Sequence, residues 1–189
     1  MPPKIKITQQ QIIEAGLALV RQGKEADWSA RALAAELGCS TQPIFKNFAS
    51  MQEVRLAVAD RAEAEFYAFL DREMAASSFP PYKAMGLGYI RFAAAEPALF
   101  RLLFMRDRRG ETVEPGWGRM LPYLPMVSES SGLKDRELER IHLEMWIFVH
   151  GIAVMQATEY LKLDEAVISE LLTHTFNHLK EERPCQPSK

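Results

Sequence analysis

Four side chains able to hydrogen-bond or carry charge, Thr41, Gln42, Lys46 and Asn47, surround an Ile44/Phe48 apolar pair in the stretch CSTQPIFKNF, residues 39–48. Gln and Asn each present a donor and an acceptor on one planar amide, and Lys46 is the single charge of the stretch. A second constellation is Glu170, His174 and His178, at i, i+4 and i+8, on one face of a helix that could hold a metal. With no second ligand cluster beside it, a polar seam is the simpler reading, and no metal site is assigned. No Gly-rich phosphate loop, Gly-x-Ser-x-Gly elbow, Cys/His nucleophile pairing or metal-ligand run occurs. The chain is therefore not read as an enzyme, and no cofactor is implied.

The elements that must position these residues are helical. No Val/Ile/Thr-rich alternating segment bounded by turn residues appears, and the apolar spacing has the helical period nearly throughout. Thr8 and Gln11 form a capping box for a first helix over 9–22. Ser29 caps a second through Leu37, Gly38 stops it, and Ser40 is expected to cap a short third helix. Pro43 then falls in the first turn, where backbone N–H groups have no intrahelical acceptor and proline costs no hydrogen bond. Ser50 and Glu53 open a long helix, and Phe79-Pro80-Pro81 breaks the chain. Helices follow over 82–95, from Pro97 to 105, over 117–127, 134–161 and from Asp164 to about 182, with a polar loop at 106–116. The fold class is all-α, about nine helices.

Three short helices with a glycine turn between the second and third describe a helix-turn-helix. Its expected core is Ile12, Ile13, Gly16, Val20, Leu33, Ala34, Leu37, Ile44 and Phe48. Residues 1–50 carry six Lys and Arg against four Asp and Glu, whereas the remainder carries 17 against 21. A mildly basic front on an acidic body suits a polyanion-binding head joined to a domain with another task. Two cysteines, Cys39 and Cys185, cannot build a disulfide framework, and the chain has neither a membrane-length apolar run nor an export signal. A cytoplasmic protein is expected.

The run ARALAAELGCSTQPIFKNFASMQEV resembles the DNA-binding signature of the TetR family of bacterial regulators. Leu33-Ala34, Gly38-Cys39-Ser40, Ile44-Phe45, Asn47-Phe48 and Ser50-Met51-Gln52 occupy the places of that signature. The resemblance implies that the third helix is a recognition helix lying in the major groove. It places Thr41, Gln42 and Asn47 near bases or adjacent backbone, and Ser29, Arg31, Ser40, Phe45 and Lys46 among the DNA contacts. Phe45 stands where the family usually has a phosphate-binding Tyr, and Met51 where it usually has Lys. Two lost anchors imply weaker or less salt-sensitive DNA binding, unless Arg31, Arg55, Lys4 or Lys6 compensate.

For the rest of the chain the resemblance implies a helical effector-binding and dimerisation domain over 51–183, followed by a tail at 184–189. Its last two helices would pair with those of a second copy. The implied protein is a dimeric repressor on near-palindromic double-stranded DNA, released by a small-molecule effector, with no membrane partner. The body is rich in methionine and aromatics, which suits an apolar or aromatic effector. The candidate lining is Met85, Tyr89, Phe92, Phe100, Phe104, Trp117, Met120, Tyr123, Trp146 and His150. Trp146 with His150-Gly151 also resembles a Trp…His-Gly feature of one group of TetR C-terminal domains. The alternatives are a helical interaction protein that has lost DNA binding, made plausible by Phe45 and Met51, and a metal-responsive variant of the same fold.

Overall fold

The computed structural model describes residues 7–23, 28–106 and 123–181, and all regular structure among them is helical. Nine helices are described: α1 (Gln9–Arg21), α2 (Ala30–Glu36), α3 (Gln42–Asn47), α4 (Met51–Ala76), α5 (Pro81–Ala95), α6 (Pro97–Phe104), α7 (Leu124–Ser131), α8 (Asp135–Ala157) and α9 (Glu165–Glu181). The chain divides into two compact units, residues 1–68 with 96–106, and residues 69–95 with 107–189. The division falls inside α4, between Ala68 and Phe69.

In the first unit, side-chain caps open α1, α2 and α4. The Thr8 side chain accepts from Gln11 N–H at 3.2 Å, while Gln11 Oε1 accepts from Thr8 N–H at 2.9 Å. Ser29 Oγ accepts from Ala32 N–H at 3.2 Å. At α4, Ser50 Oγ accepts from Glu53 N–H at 3.2 Å, and Glu53 reaches back to Ala49 N–H at 2.7 Å. Each cap supplies an acceptor to a first-turn donor that lacks one, worth about 1 kcal/mol.

α1 packs against α2, α3 and α6. Ile12, Gly16, Val20, Leu33, Ala34, Ile44 and Phe48 are buried as expected, joined by Leu17, Leu19 and Trp28; Ile13 and Leu37 are only half-buried. Gly16 lets α1 approach α4 closely, because a Cβ there would stand 2.6 Å from Val58 Cγ2. Ion pairs tie the same elements together at the surface. Arg61 bridges Glu14 at 3.0 Å and Glu65 at 3.1 Å, and Arg21 bridges Glu65 at 2.5 Å and Glu96 at 3.0 Å.

The cap expected of Ser40 is not formed. The first helical bonds of α3 run from Ile44 N–H and Phe45 N–H to the Thr41 carbonyl, at 3.1 and 3.4 Å, so Thr41 is the N-cap, and its side chain makes no capping bond. Gly38 adopts the left-handed conformation (φ 61°), and Cys39 N–H closes back onto the Ala34 carbonyl at 2.9 Å. Ser40 is thus left outside the helix. Pro43 does occupy the first turn.

The second unit is built on α5 and α8, which pack with α7 and α9. Gly86 of α5 faces both partners: a Cβ there would make ordinary contact with Val149 Cγ2 at 3.5 Å and Leu172 Cδ1 at 3.6 Å. The end of α4 joins through an edge-to-face Phe69–Phe92 contact with ring centroids 5.4 Å apart. Arg91 of α5 pairs with Glu73 and Glu165. Two expected helices have other limits. The 134–161 segment is helical only over Asp135–Ala157, and the described part of the 117–127 segment runs on to Ser131, where Gly132 (φ 73°) ends it.

Candidate functional site

The short α3 has two faces. Ile44 is fully buried and Phe48 nearly so, and together they anchor the helix. Gln42 and Lys46 are exposed, and Phe45 is 51% exposed. Residues 42, 45 and 46 stand at i, i+3 and i+4, so they form one outward patch of an amide, an aromatic ring and a cation. Ser29, Arg31 and Ser40 are also exposed, while Thr41 is half-buried.

Asn47 corrects the outward orientation expected of it. Its Nδ2 donates to the backbone carbonyls of Ile7 at 3.2 Å and Pro43 at 2.8 Å, and the Asn47 backbone carbonyl accepts from Gln9 Nε2 at 2.7 Å. Both amide protons are therefore committed inside the unit. Asn47 fastens the end of α3 to the start of α1, and bidentate pairing with adenine would need one of those donors back.

Eight of the ten candidate effector residues are among the described residues. Trp117 and Met120 lie outside the described residues. Phe100 and Phe104 belong to the first unit, where Phe104 packs against Phe66 at 5.3 Å and against Phe100 at 5.0 Å. Phe92 is 1% exposed and is core beside Phe69. Met85 and Tyr123 are half-buried in the second unit.

A connected group remains. The Tyr89 hydroxyl meets His150 Nδ1 at 2.9 Å, and Trp146 stacks on His150 with centroids 5.6 Å apart and planes 23° apart. Burial lowers the His150 pKa and favours the neutral ring. The arrangement offers an aromatic plate beside a neutral hydrogen-bonding pair.

A parallel pair escaped the sequence reading. Two turns earlier on α5, the Tyr82 hydroxyl lies 3.0 Å from His142 Nδ1, with Phe176 of α9 against the Tyr82 ring at 5.7 Å. Tyr82 and His142 are 8% and 3% exposed. The signal was present: His142 sits four residues after Leu138 and three before Met145, inside the buried stripe of α8. His174 and His178 stack at 6.4 Å, but no group of three or more His, Cys, Asp or Glu among the described residues is placed to hold a metal. No described helix is long and apolar enough to cross a membrane.

The structure defines an all-helical protein with an N-terminal helix-turn-helix and a separate helical bundle. The family model for the tetracyclin repressor-like C-terminal domain matches residues 82–179, more than half of the chain. The chain belongs to this TetR family of transcriptional regulators. A search of curated proteins finds no significant match to it.

Proposed function

We propose that the protein is a homodimeric, DNA-binding transcriptional repressor that leaves its near-palindromic operator when an apolar or aromatic small molecule binds the second unit. The observation that carries this reading is the outward face of α3. Gln42, Phe45 and Lys46 point away from a core that holds the helix by Ile44, Phe48 and the Asn47 amide. A polar, cationic helix face on a fixed support, in a chain of this family, suits insertion into a major groove. Ser29, Arg31, Ser40 and Thr41 would supply contacts to the phosphate backbone. A head over residues 1–50, a regulatory body over 51–183 and a cytoplasmic location complete the proposal.

Two observations support a dimer. α9 buries Ile168 and Leu172 within the chain, yet Val167 and Leu171, one position earlier in each turn, are 41% and 36% exposed. α8 likewise leaves Ile147 58% exposed. Second apolar stripes on the last two helices suit pairing with another copy, which would set two recognition helices about 34–36 Å apart. For the effector, the Trp146–His150–Tyr89 group favours a flat molecule able to share one hydrogen bond. α4 belongs to both units and is the proposed route by which binding alters the spacing of the heads.

The test is capture of genomic DNA fragments by the purified protein, followed by anisotropy titrations on the enriched sequence. Saturable, salt-dependent binding that Gln42→Ala makes less sequence-selective supports the reading. Binding at the level of unrelated DNA sinks it. Operator affinity that is unchanged by every candidate aromatic compound removes the effector part alone.

A further inference from the structure

Phe45 is the one side chain of the outward α3 face whose exposure chemistry does not explain. Half of an aromatic ring stands in solvent on a helix whose other aromatic, Phe48, is 9% exposed. Phe45 lacks a hydroxyl, so it can neither donate to a phosphate nor bond a polar base edge. Its helix neighbours at i−3 and i+1, Gln42 and Lys46, are an exposed amide and an exposed cation. A charge-bearing rim around one apolar ring is poorly matched to an apolar protein surface, where Lys46 would lose its hydration without a partner. It is well matched to a polyanion that carries isolated apolar groups. On the base edges of the major groove that group is the thymine methyl.

We propose that Phe45 is a specificity residue that packs against a thymine methyl beside the adenine paired by Gln42, so that this face reads an A·T-containing step. The inference rests on the reading of α3 as the recognition helix and goes beyond it by assigning the ring a base. Spacing supports the pairing. Residues at i and i+3 on a helix lie about 5–6 Å apart at Cβ, a span that reaches the same or the next base pair. The two contacts are independent in kind: Gln42 reads a donor and an acceptor, whereas Phe45 reads only a methyl. With Asn47 committed to Ile7 and Pro43, Phe45 supplies selectivity that a second outward amide would otherwise provide.

The experiment begins with the full-length protein and a randomised double-stranded DNA library. Each thymine of the enriched site is then replaced by deoxyuridine, which removes the methyl and leaves base pairing intact. Affinities are measured for the natural protein and for Phe45→Ala, whose retained fold is checked by its thermal transition. At one thymine per half-site, uracil should weaken the natural protein about three- to five-fold, as expected for one methyl returned to water. Phe45→Ala should bind more weakly overall and be insensitive to that same replacement. Tolerance of uracil at every position overturns the assignment, and so does undiminished uracil sensitivity in Phe45→Ala. A library that fails to enrich overturns the DNA-binding reading itself, and this inference with it, so the two failures are distinguishable.

Discussion

The Tyr82 hydroxyl and His142 Nδ1 stand 3.0 Å apart in the packed interior between α5, α8 and α9, and His142 Nε2 has no hydrogen-bond partner among the described residues. Burial raises the Tyr82 pKa, so its hydroxyl keeps its proton and can donate to Nδ1. That donation would place the ring proton on Nε2. Burial also lowers the His142 pKa, and the folded state resists a second proton that the unfolded chain accepts at its ordinary value. The sign follows. Stability is complete above the ordinary histidine value, about 6.5, falls as pH drops below it, and levels off once pH is under the folded-state pKa. His150 adds to the loss in the same direction. Thermal midpoints between pH 7.5 and 5 should therefore decline, and His142→Phe should flatten the decline. An equal slope in the variant would assign the loss to other groups.

Removing the Tyr82 hydroxyl tests the same contact at constant pH. Tyr82→Phe keeps the ring packed on Phe176 but leaves Nδ1 of a buried imidazole unpaired. The expected cost is about 1–2 kcal/mol, the usual penalty for orphaning one buried polar group. Denaturant unfolding at neutral pH measures it.

Gly16 and Val58 make a sharper steric prediction in the first unit. Ala at position 16 would place Cβ 2.6 Å from Val58 Cγ2, on a residue with no exposed surface. The helix-propensity gain from Gly to Ala is at most about 1 kcal/mol, and overpacking costs about 1–3 kcal/mol. Gly16→Ala is therefore expected to destabilise, and Val58→Ala should accommodate the new methyl. A double-mutant cycle in urea should give a favourable coupling. Additive effects would mean that α1 and α4 separate freely.

What the sequence revealed tracks the distance over which each signal acts. The caps at Thr8, Ser29 and Ser50 involve partners three or four residues away, and all three form. The apolar stripe of α8 was likewise legible from spacing, and with it the helical class. Asn47 was not, because its orienting partner Ile7 lies 40 residues away. Thr41 rather than Ser40 opens α3, because a capping residue type does not reveal where the Gly38 turn releases the chain. Composition does not say which unit an aromatic ring joins: Phe100 and Phe104 fall in the first, Tyr89 and Trp146 in the second. The burial of His142 is legible from its place between Leu138 and Met145 in the α8 stripe, whereas its partner Tyr82, 60 residues away, is not.

The exposed stripes of the last two helices predict a concentration-dependent assembly. Leu171→Glu places a carboxylate where Leu171 is already 36% exposed, so the isolated fold should tolerate it. Within a dimer interface the same charge would be buried without a partner, which is strongly unfavourable. Sedimentation should show the natural protein as a dimer and Leu171→Glu as a folded monomer with undiminished helix content. A dimer that persists unchanged in the variant would move the interface elsewhere.

Lys46 separates non-specific attraction from readout. Its exposed ammonium lies one residue beyond Phe45 and is proposed to face the DNA backbone. Neutralising one phosphate contributes about 0.9 to the slope of log affinity against log salt. Lys46→Ala should lower that slope by about one for each head engaged and weaken binding to matched and mismatched duplexes alike. Gln42→Ala should do the reverse. It should leave the salt slope unchanged and cost about 1–3 kcal/mol of discrimination at one base pair per half-site, the size of a good bidentate contact. Titrations of the three proteins on matched and single-mismatch duplexes, from low to physiological salt, measure both quantities at once. If Lys46→Ala altered base preference while Gln42→Ala altered only the salt slope, the two roles on α3 would have to be exchanged.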